Sequence, residues 1–194
     1  MELEPRLAEA REGQRTLLWV DASHFVLASF LGYVWCFVRM FVKAASGRQR
    51  YNVLGALNAR THELITEINT AYINAESVCA LLRKVAQASV GVPITMVMDN
   101  ARYQRCALVQ NLAKELGIEL LFLPSYSPNL NLIERLWKFM KKEALNSRQL
   151  QDFKKFQEAI DGCIADLPGK HKAKLATLMA HNFQTWDNVS LLNA

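Results

Sequence analysis

Several kinds of residue and pattern are scarce in this 194-residue chain. It has four cysteines (Cys36, Cys79, Cys106 and Cys163), none within ten residues of another. That spacing excludes a zinc finger or ribbon and any dense disulfide framework, and points to a reducing, cytoplasmic setting. Glycine (8) and proline (5) are too few for a collagen-like or low-complexity chain. No Pro/Gly/Ser linker and no internal repeat divides the sequence, so one principal domain is expected. No apolar run reaches 18 residues. The most apolar stretch, 26–42, is interrupted by Ser29, Gly32 and Arg39 and is a poor membrane span. The first 15 residues are charged with both signs and lack a signal-peptide core. Charge of one sign is not extreme either: 23 Lys+Arg oppose 18 Asp+Glu, giving +5. This permits a polyanionic partner without requiring one.

What is present is a globular composition, 51% hydrophobic and 21% charged. Residues 1–15 are expected to form a polar tail, with a helix one of the forms open to it. Apolar and β-branched runs at Leu17–Phe25, Tyr33–Val42, Arg50–Leu57 and Glu63–Ile68, separated by turn residues, predict consecutive strands. Turns are expected at Ser46-Gly47 and Asn58-Ala59. The pattern then changes. Asn74–Ala88 carries Val78, Leu81, Leu82 and Val85 at helical spacing, with Asn74 as a start signal. Pro93–Met98 predicts a buried parallel strand, and Tyr103–Leu116 a helix stopped at Gly117. Ile118–Leu123 is a further strand, and helices are expected over Leu132–Asn146, Asp152–Asp166 and Lys172–Ala180. The predicted class is α/β, a mixed sheet antiparallel at one edge and parallel beyond, flanked by helices.

Three acids stand out by position. Asp21 lies on the first strand. Asp99 directly follows a buried strand, where open parallel sheets meet ligands; a helix N-cap is the alternative. Glu134 shares one face of its helix with Lys138 and Lys141, opposite Leu132, Leu136, Phe139 and Met140. A surface Glu–Lys pair worth about 0.3–0.5 kcal/mol accounts equally well for that spacing. Residues 135–174 hold ten Lys/Arg against five acids, which suits DNA-backbone binding as well as a solvated helical surface.

The text around the acids is more specific. Leu123–Lys142 reads LPSYSPNLNLIERLWKFMKK, and Met96–Gln104 reads MVMDNARYQ. Together they resemble the DDE catalytic domain of mariner-superfamily transposases, in particular the bacterial insertion-sequence branch called the six-thirty family. The matching residues are Asp99-Asn100, Leu123, Pro124, Tyr126, Ser127, Pro128, Leu130, Asn131, Ile133, Glu134 and Trp137, and 34 residues separate Asp99 from Glu134. The first acid of the family falls on Asp21. The resemblance covers about residues 17–166.

The resemblance implies a ribonuclease-H-like fold with the first and fourth strands adjacent, so that Asp21 meets Asp99 and Glu134 joins them from a helix. It implies a DNA endonuclease and strand transferase of an insertion sequence, with Asp21, Asp99 and Glu134 as catalytic and metal-binding residues for Mg²⁺ or Mn²⁺, two ions in all. Hard cations of this kind prefer carboxylate oxygen, and a pair of them serves both sides of a phosphodiester. Arg135, Lys138, Lys141, Lys142 and Tyr126 are the expected DNA contacts, and Asn100 and Asn131 are expected to orient the acids. For Asn131 a helix N-cap is the alternative. Tyr126 and Trp137 are candidates for stacking on a base, with packing against the sheet the alternative for Trp137. His24 is either a phosphate contact or an ordinary strand-end histidine.

The expected partner is double-stranded DNA (element ends and target), bound by a homodimer, with no membrane involvement and a bacterial, nucleoid-associated cytoplasmic location. The expected organisation is a tail over 1–15, a catalytic domain over 16–166 and an extension over 167–194. The sequence departs from the family pattern at Ala22, where many relatives carry a second acid, and at Leu132, where proline is common. Only 20 residues precede Asp21, so end recognition is expected either to lie on a separate helix-turn-helix polypeptide or to have been lost. The alternatives in function are a ribonuclease-H-like nuclease that cuts without joining and a non-catalytic, regulatory DNA-binding remnant.

Overall fold

The structure is a computed structural model. It describes residues 3–27, 49–89, 91–124, 131–146, 150 and 152–179. The expected strand Tyr33–Val42, the Ser46-Gly47 turn and Tyr126 lie outside the described residues.

The elements in chain order are α1 (Leu3–Arg11), β1 (Thr16–Val26), β2 (Arg50–Asn58), β3 (Leu64–Asn69), α2 (Ala75–Ala88), β4 (Ile94–Met98), α3 (Ala107–Glu115), β5 (Ile118–Phe122), α4 (Ile133–Met140), a five-residue π-helical turn (Lys141–Leu145), α5 (Phe153–Asp166) and α6 (Lys172–Leu178). The five described strands form one sheet in the order β3-β2-β1-β4-β5. β1 is antiparallel to β2 and β2 to β3, while β1, β4 and β5 run parallel. The sheet is therefore mixed, antiparallel on one side and parallel on the other, as the strand spacing predicts.

Local signals account for most of the ends. Asn74 caps α2: its side chain accepts from the Ser77 amide at 3.0 Å, and the Ser77 hydroxyl accepts from the Asn74 amide at 3.4 Å. Gly117 follows α3 at φ +67°, the left-handed turn that lets the chain enter β5 after two residues. Asn58 closes the β2–β3 connection by accepting from the amides of Arg60 and Thr61.

Two boundaries differ from expectation, and the N-terminal tail is helical and more buried than a polar tail requires. α3 begins at Ala107 and not at Tyr103, because residues 101–105 are folded into turns that return the Gln104 and Arg105 amides to the Ala101 carbonyl. The helix expected over Leu132–Asn146 changes to π geometry at Lys141, which carries Ala144 and Leu145 into the core against α5. The first 15 residues contribute α1, which buries Leu3, Leu7 and Ala10 against the sheet.

Both faces of the sheet are covered. α2 and α3 pack on one face over Leu18, Val20, Leu54, Met96 and Met98. The other face carries α1, α4, α5 and α6 over Trp19, Phe25, Val53, Leu57 and Val97. Alternation along each strand then decides which face each polar residue meets. Asp21 and Gly55 belong to the α4 face; His24 and Asn52 belong to the α2 face.

Candidate active site

The register brings the first two acids together. β1 and β4 are paired through Val20 and Met98. The next residue on each strand is an aspartate, Asp21 and Asp99, at the carboxyl end of β4. Asp99 does not cap a helix, since Cys106 stands at the start of α3. Glu134 comes from the first turn of α4, which packs across β1 and β2.

The electrostatics record the proximity. Burial pushes the Asp21 carboxyl up to about 6. A backbone hydrogen bond from Ala22 opposes this, the charges of Asp99 and Glu134 add to it, and the Trp137 hydrogen bond opposes it weakly. Glu134 is raised by burial, held down by Lys138 and raised again by Asp99. Asp99 thus acts on both other acids, and Glu134 acts on Asp21. Among the described residues, no Lys or Arg forms an ion pair with any of them. Nor is any set of three His, Cys, Asp or Glu side chains drawn tightly enough to close on a metal ion as it stands. The donor chemistry nevertheless fits a hard divalent cation: carboxylate oxygens only, half-buried, repelling one another, with Lys138 acting on Glu134 and, among the described residues, no ion pair on any of the three.

The residues expected to orient the acids behave differently from one another. Asn131 is 1% exposed, and its amide donates to the Val20 carbonyl at 3.1 Å, immediately before Asp21. It is not the N-cap of α4; that position is Leu132, without a side-chain bond. Asn100 is exposed and accepts from Arg105 at 2.7 Å. Trp137 is 4% exposed and packed beneath the sheet, so the stacking alternative falls away in favour of packing. It does more than pack: its indole N–H donates to Asp21 Oδ2 at 3.1 Å. His24 lies on the other face of β1, with Nδ1 2.7 Å from Asn52 Oδ1.

Two neighbours of the acids escaped the sequence reading. Gly55 sits directly opposite Asp21 on β2. Tyr103 stands in the field of Asp21 and Asp99, which together with burial push its phenol up. Its place four residues after Asp99 was the available signal.

A cationic groove of about 600 Å³ runs between α4 and α6, with Arg135, Lys138, Lys142 and Lys174 above Phe139 and Leu178. Lys174 is bonded to Glu143 at 3.0 Å, and Arg135 donates to the Leu178 carbonyl at 3.0 Å. Lys138 borders this groove and also acts on Glu134. The Lys141 ammonium lies 5.8 Å from the centre of the Phe25 ring.

The family model described as DDE superfamily endonuclease matches residues 16–157. The chain belongs to the DDE superfamily of endonucleases. A comparison with curated proteins finds no match. Among solved structures, the DDE fold seen here is similar to that of a Mos1 transposase paired-end complex with the left transposon end, at 14% identity and a TM-score of 0.64, covering 94% of this chain and 60% of that one. A Mos1 mariner paired-end complex with Mn is similar at 13% identity and 0.62, covering 90% and 57%. The catalytic core domain of BIV integrase is similar at 16% identity and 0.51, covering 81% and 84%. The fold is thus the ribonuclease-H-like fold of transposase and integrase cores. The chain spans about three-fifths of the length of the Mos1 chains it matches.

Proposed function

We propose that this DDE domain is the catalytic core of an insertion-sequence transposase, cutting DNA strands at the element's ends and joining them to a target. The observation that supports the reading is that Asp21 and Asp99 follow the paired residues Val20 and Met98 on two inner strands, and that the charges of Asp99 and Glu134 act on Asp21. A buried acid with no cationic partner costs stability and is retained where a ligand supplies the charge.

In this reading Asp21, Asp99 and Glu134 hold Mg²⁺ or Mn²⁺, two ions in all. Bound there, divalent cations supply Lewis-acid activation of the attacking oxygen and charge stabilisation of the departing one. The chain's own part is positional. β1 and β4 deliver two carboxylates in register, and α4 brings the third. Asn131 fixes the strand just before Asp21. Lys138, Lys141, Lys142 and Arg135 meet the phosphate backbone, where each neutralised phosphate releases counterions. Tyr126 completes the proposed DNA contacts, and Asn100 is assigned with Asn131 to orienting the acids. Residues 16–166 carry the chemistry, with 1–15 and 167–194 flanking it. Two chains act together on the DNA.

The test is a nicking and strand-transfer assay on intact and pre-cut element ends, with Mg²⁺, Mn²⁺ and Ca²⁺ in parallel. Mg²⁺ and Mn²⁺ should support both steps; Ca²⁺ should support binding with little cleavage, because its geometry is looser. Cleavage without joining would assign the chain to the nucleases.

A further inference from the structure

We infer that Trp137 and Gly55 are positioning residues for the metal-holding carboxylate of Asp21: the indole N–H holds one carboxylate oxygen, and the bare backbone at 55 makes room for the ring that does so. The inference rests on the proposed role of Asp21.

The indole has one hydrogen to donate and no acceptor. Buried at 4% exposure, it must find a partner or leave an unsatisfied donor in the core. Its partner is Asp21 Oδ2, at 3.1 Å. The ring itself is wedged. Phe25, four residues further along β1, meets it edge-on at 6.4 Å between centroids and 87° between planes. On the other side lies β2, where Gly55 is the register partner of Asp21. A Cβ on Gly55 would stand 2.7 Å from Trp137 Cη2, 3.0 Å from Cζ2 and 3.0 Å from Leu64 Cδ1. Gly55 is not among the glycines with positive φ, so its backbone does not call for glycine. The space does. Glycine inside a buried strand loses packing and adds chain entropy, and close approach of another group is the usual reason for it.

The same segment makes a second contact one residue away, from Asn131 to the Val20 carbonyl. Asn131 and Trp137 flank Glu134 by three residues on either side. The segment that carries the third acid is therefore tied to the strand that carries the first at two successive residues, 20 and 21. With one oxygen of Asp21 engaged by the indole, rotation of the carboxylate is restricted and the remaining lone pairs are presented in one orientation. Supporting hydrogen bonds of this type typically alter metal affinity by about 10–100-fold when removed.

The experiment measures Mn²⁺ binding to the full chain by the electron paramagnetic resonance of free Mn²⁺, beside nicking at varied Mn²⁺ and a thermal melt. Trp137→Phe keeps a ring and loses the N–H. It should raise the Mn²⁺ dissociation constant about 10–100-fold, shift half-maximal nicking to higher Mn²⁺ by a similar factor, and change the rate at saturating Mn²⁺ much less. Gly55→Ala displaces the indole without removing it and should weaken Mn²⁺ binding in the same direction. In the double variant the smaller ring relieves the overlap, so its Mn²⁺ affinity should equal that of Trp137→Phe alone, a coupling that independent sites do not show. A folded Trp137→Phe chain binding Mn²⁺ as the parent does, while Asp21→Asn binds none, overturns the positioning role and leaves the DDE reading intact. Unchanged Mn²⁺ binding by Asp21→Asn overturns the metal site, and the inference with it. If Trp137→Phe loses its cooperative melt, the ¹⁵N-indole spectrum of the parent decides. One of the four indole N–H signals must move on Asp21→Asn substitution, and four unmoved signals overturn the bond.

Discussion

Thr95 and Asp99 lie on the same side of β4, four residues and roughly 13 Å apart along the strand. The two ends they mark treat acids in opposite ways. At the Thr95 end, Glu119 of β5 is bound by Arg6 through Nε at 2.9 Å and through a second, shorter contact. It also accepts from Arg15 at 3.1 Å and from Thr95 at 2.6 Å. Those bonds, with the arginine charges, hold its carboxyl down at about 2 against the effect of burial. At the Asp99 end, burial, with the charges of Asp99 and Glu134 added, pushes Asp21 up to about 6. The difference lies in who supplies the counter-charge. At one end the chain does, through α1 and the residue that leads into β1, and the result ties the N-terminal helix to the parallel edge of the sheet. At the other, Lys138 acts on Glu134, but among the described residues no Lys or Arg pairs with Asp21, and in the proposed reading a cation relieves that cost. An acid's role is thus read from its partners more securely than from its residue type.

The strongest way to break this contrast is Asp99→Asn. It keeps size and hydrogen-bonding capacity and removes charge. Strand cleavage should fall to background in a nicking assay, while filter binding to DNA stays equal or tightens slightly; Glu134→Gln should match it. Cleavage by Asp99→Asn at a rate near the parent's would sink the site assignment.

Asp21→Asn should invert the usual effect of a mutation and stabilise the metal-free chain. The folded pKa of about 6 stands above the ordinary 3.8. Folding is therefore favoured by this carboxyl at pH below 3.8, and that advantage is lost as pH rises through 6. At pH 8 with chelator, relief of the penalty should add about 1–3 kcal/mol in denaturant unfolding, vanishing near pH 4. A variant less stable than the parent at pH 8 would contradict it.

Glu119→Gln should do the reverse at the other end. Its folded pKa of about 2 lies below the ordinary 4.5, so its contribution is present above 4.5 and lost as pH falls through 2. The side chain is 36% exposed, so solvent screening limits the loss at pH 7 to about 1–2 kcal/mol. Nicking per folded molecule should be unchanged. The smallest effects belong to the lysines beside the acids. Lys138→Ala and Lys141→Ala should each weaken DNA binding evenly across sequences and flatten the salt slope by about one unit.

Much of this contrast was legible in the chain before folding. Asn74 and Gly117 marked helix ends by local chemistry that needs no tertiary partner, and both stand where expected. Periodicity found Val78, Leu81, Leu82 and Val85 as one buried stripe. Periodicity could not find the start of α3, because residues 101–105 carry no breaker and are diverted by turn bonds. It also could not separate α4 from the π turn, since both bury residues at similar intervals. The helical-wheel placement of Glu134 with Lys138 is matched by the charge that Lys138 exerts on it.

The sequence by itself determined the order of the described elements and the class of sheet, because those depend on local periodicity and on residues adjacent in the chain, and its resemblance to a family singled out three acids. Only the tertiary structure decided what surrounds them. Asn131 is spent on the Val20 carbonyl and not on a helix cap. Trp137 is a donor to Asp21, and Gly55 is the space that admits it. Arg6 and Arg15 cross to Glu119, 113 and 104 residues away. Each joins residues far apart in the chain through a register and a helix approach that no window of sequence contains. Hydrogen bonding and excluded volume act through space, and folding is what makes distant residues neighbours.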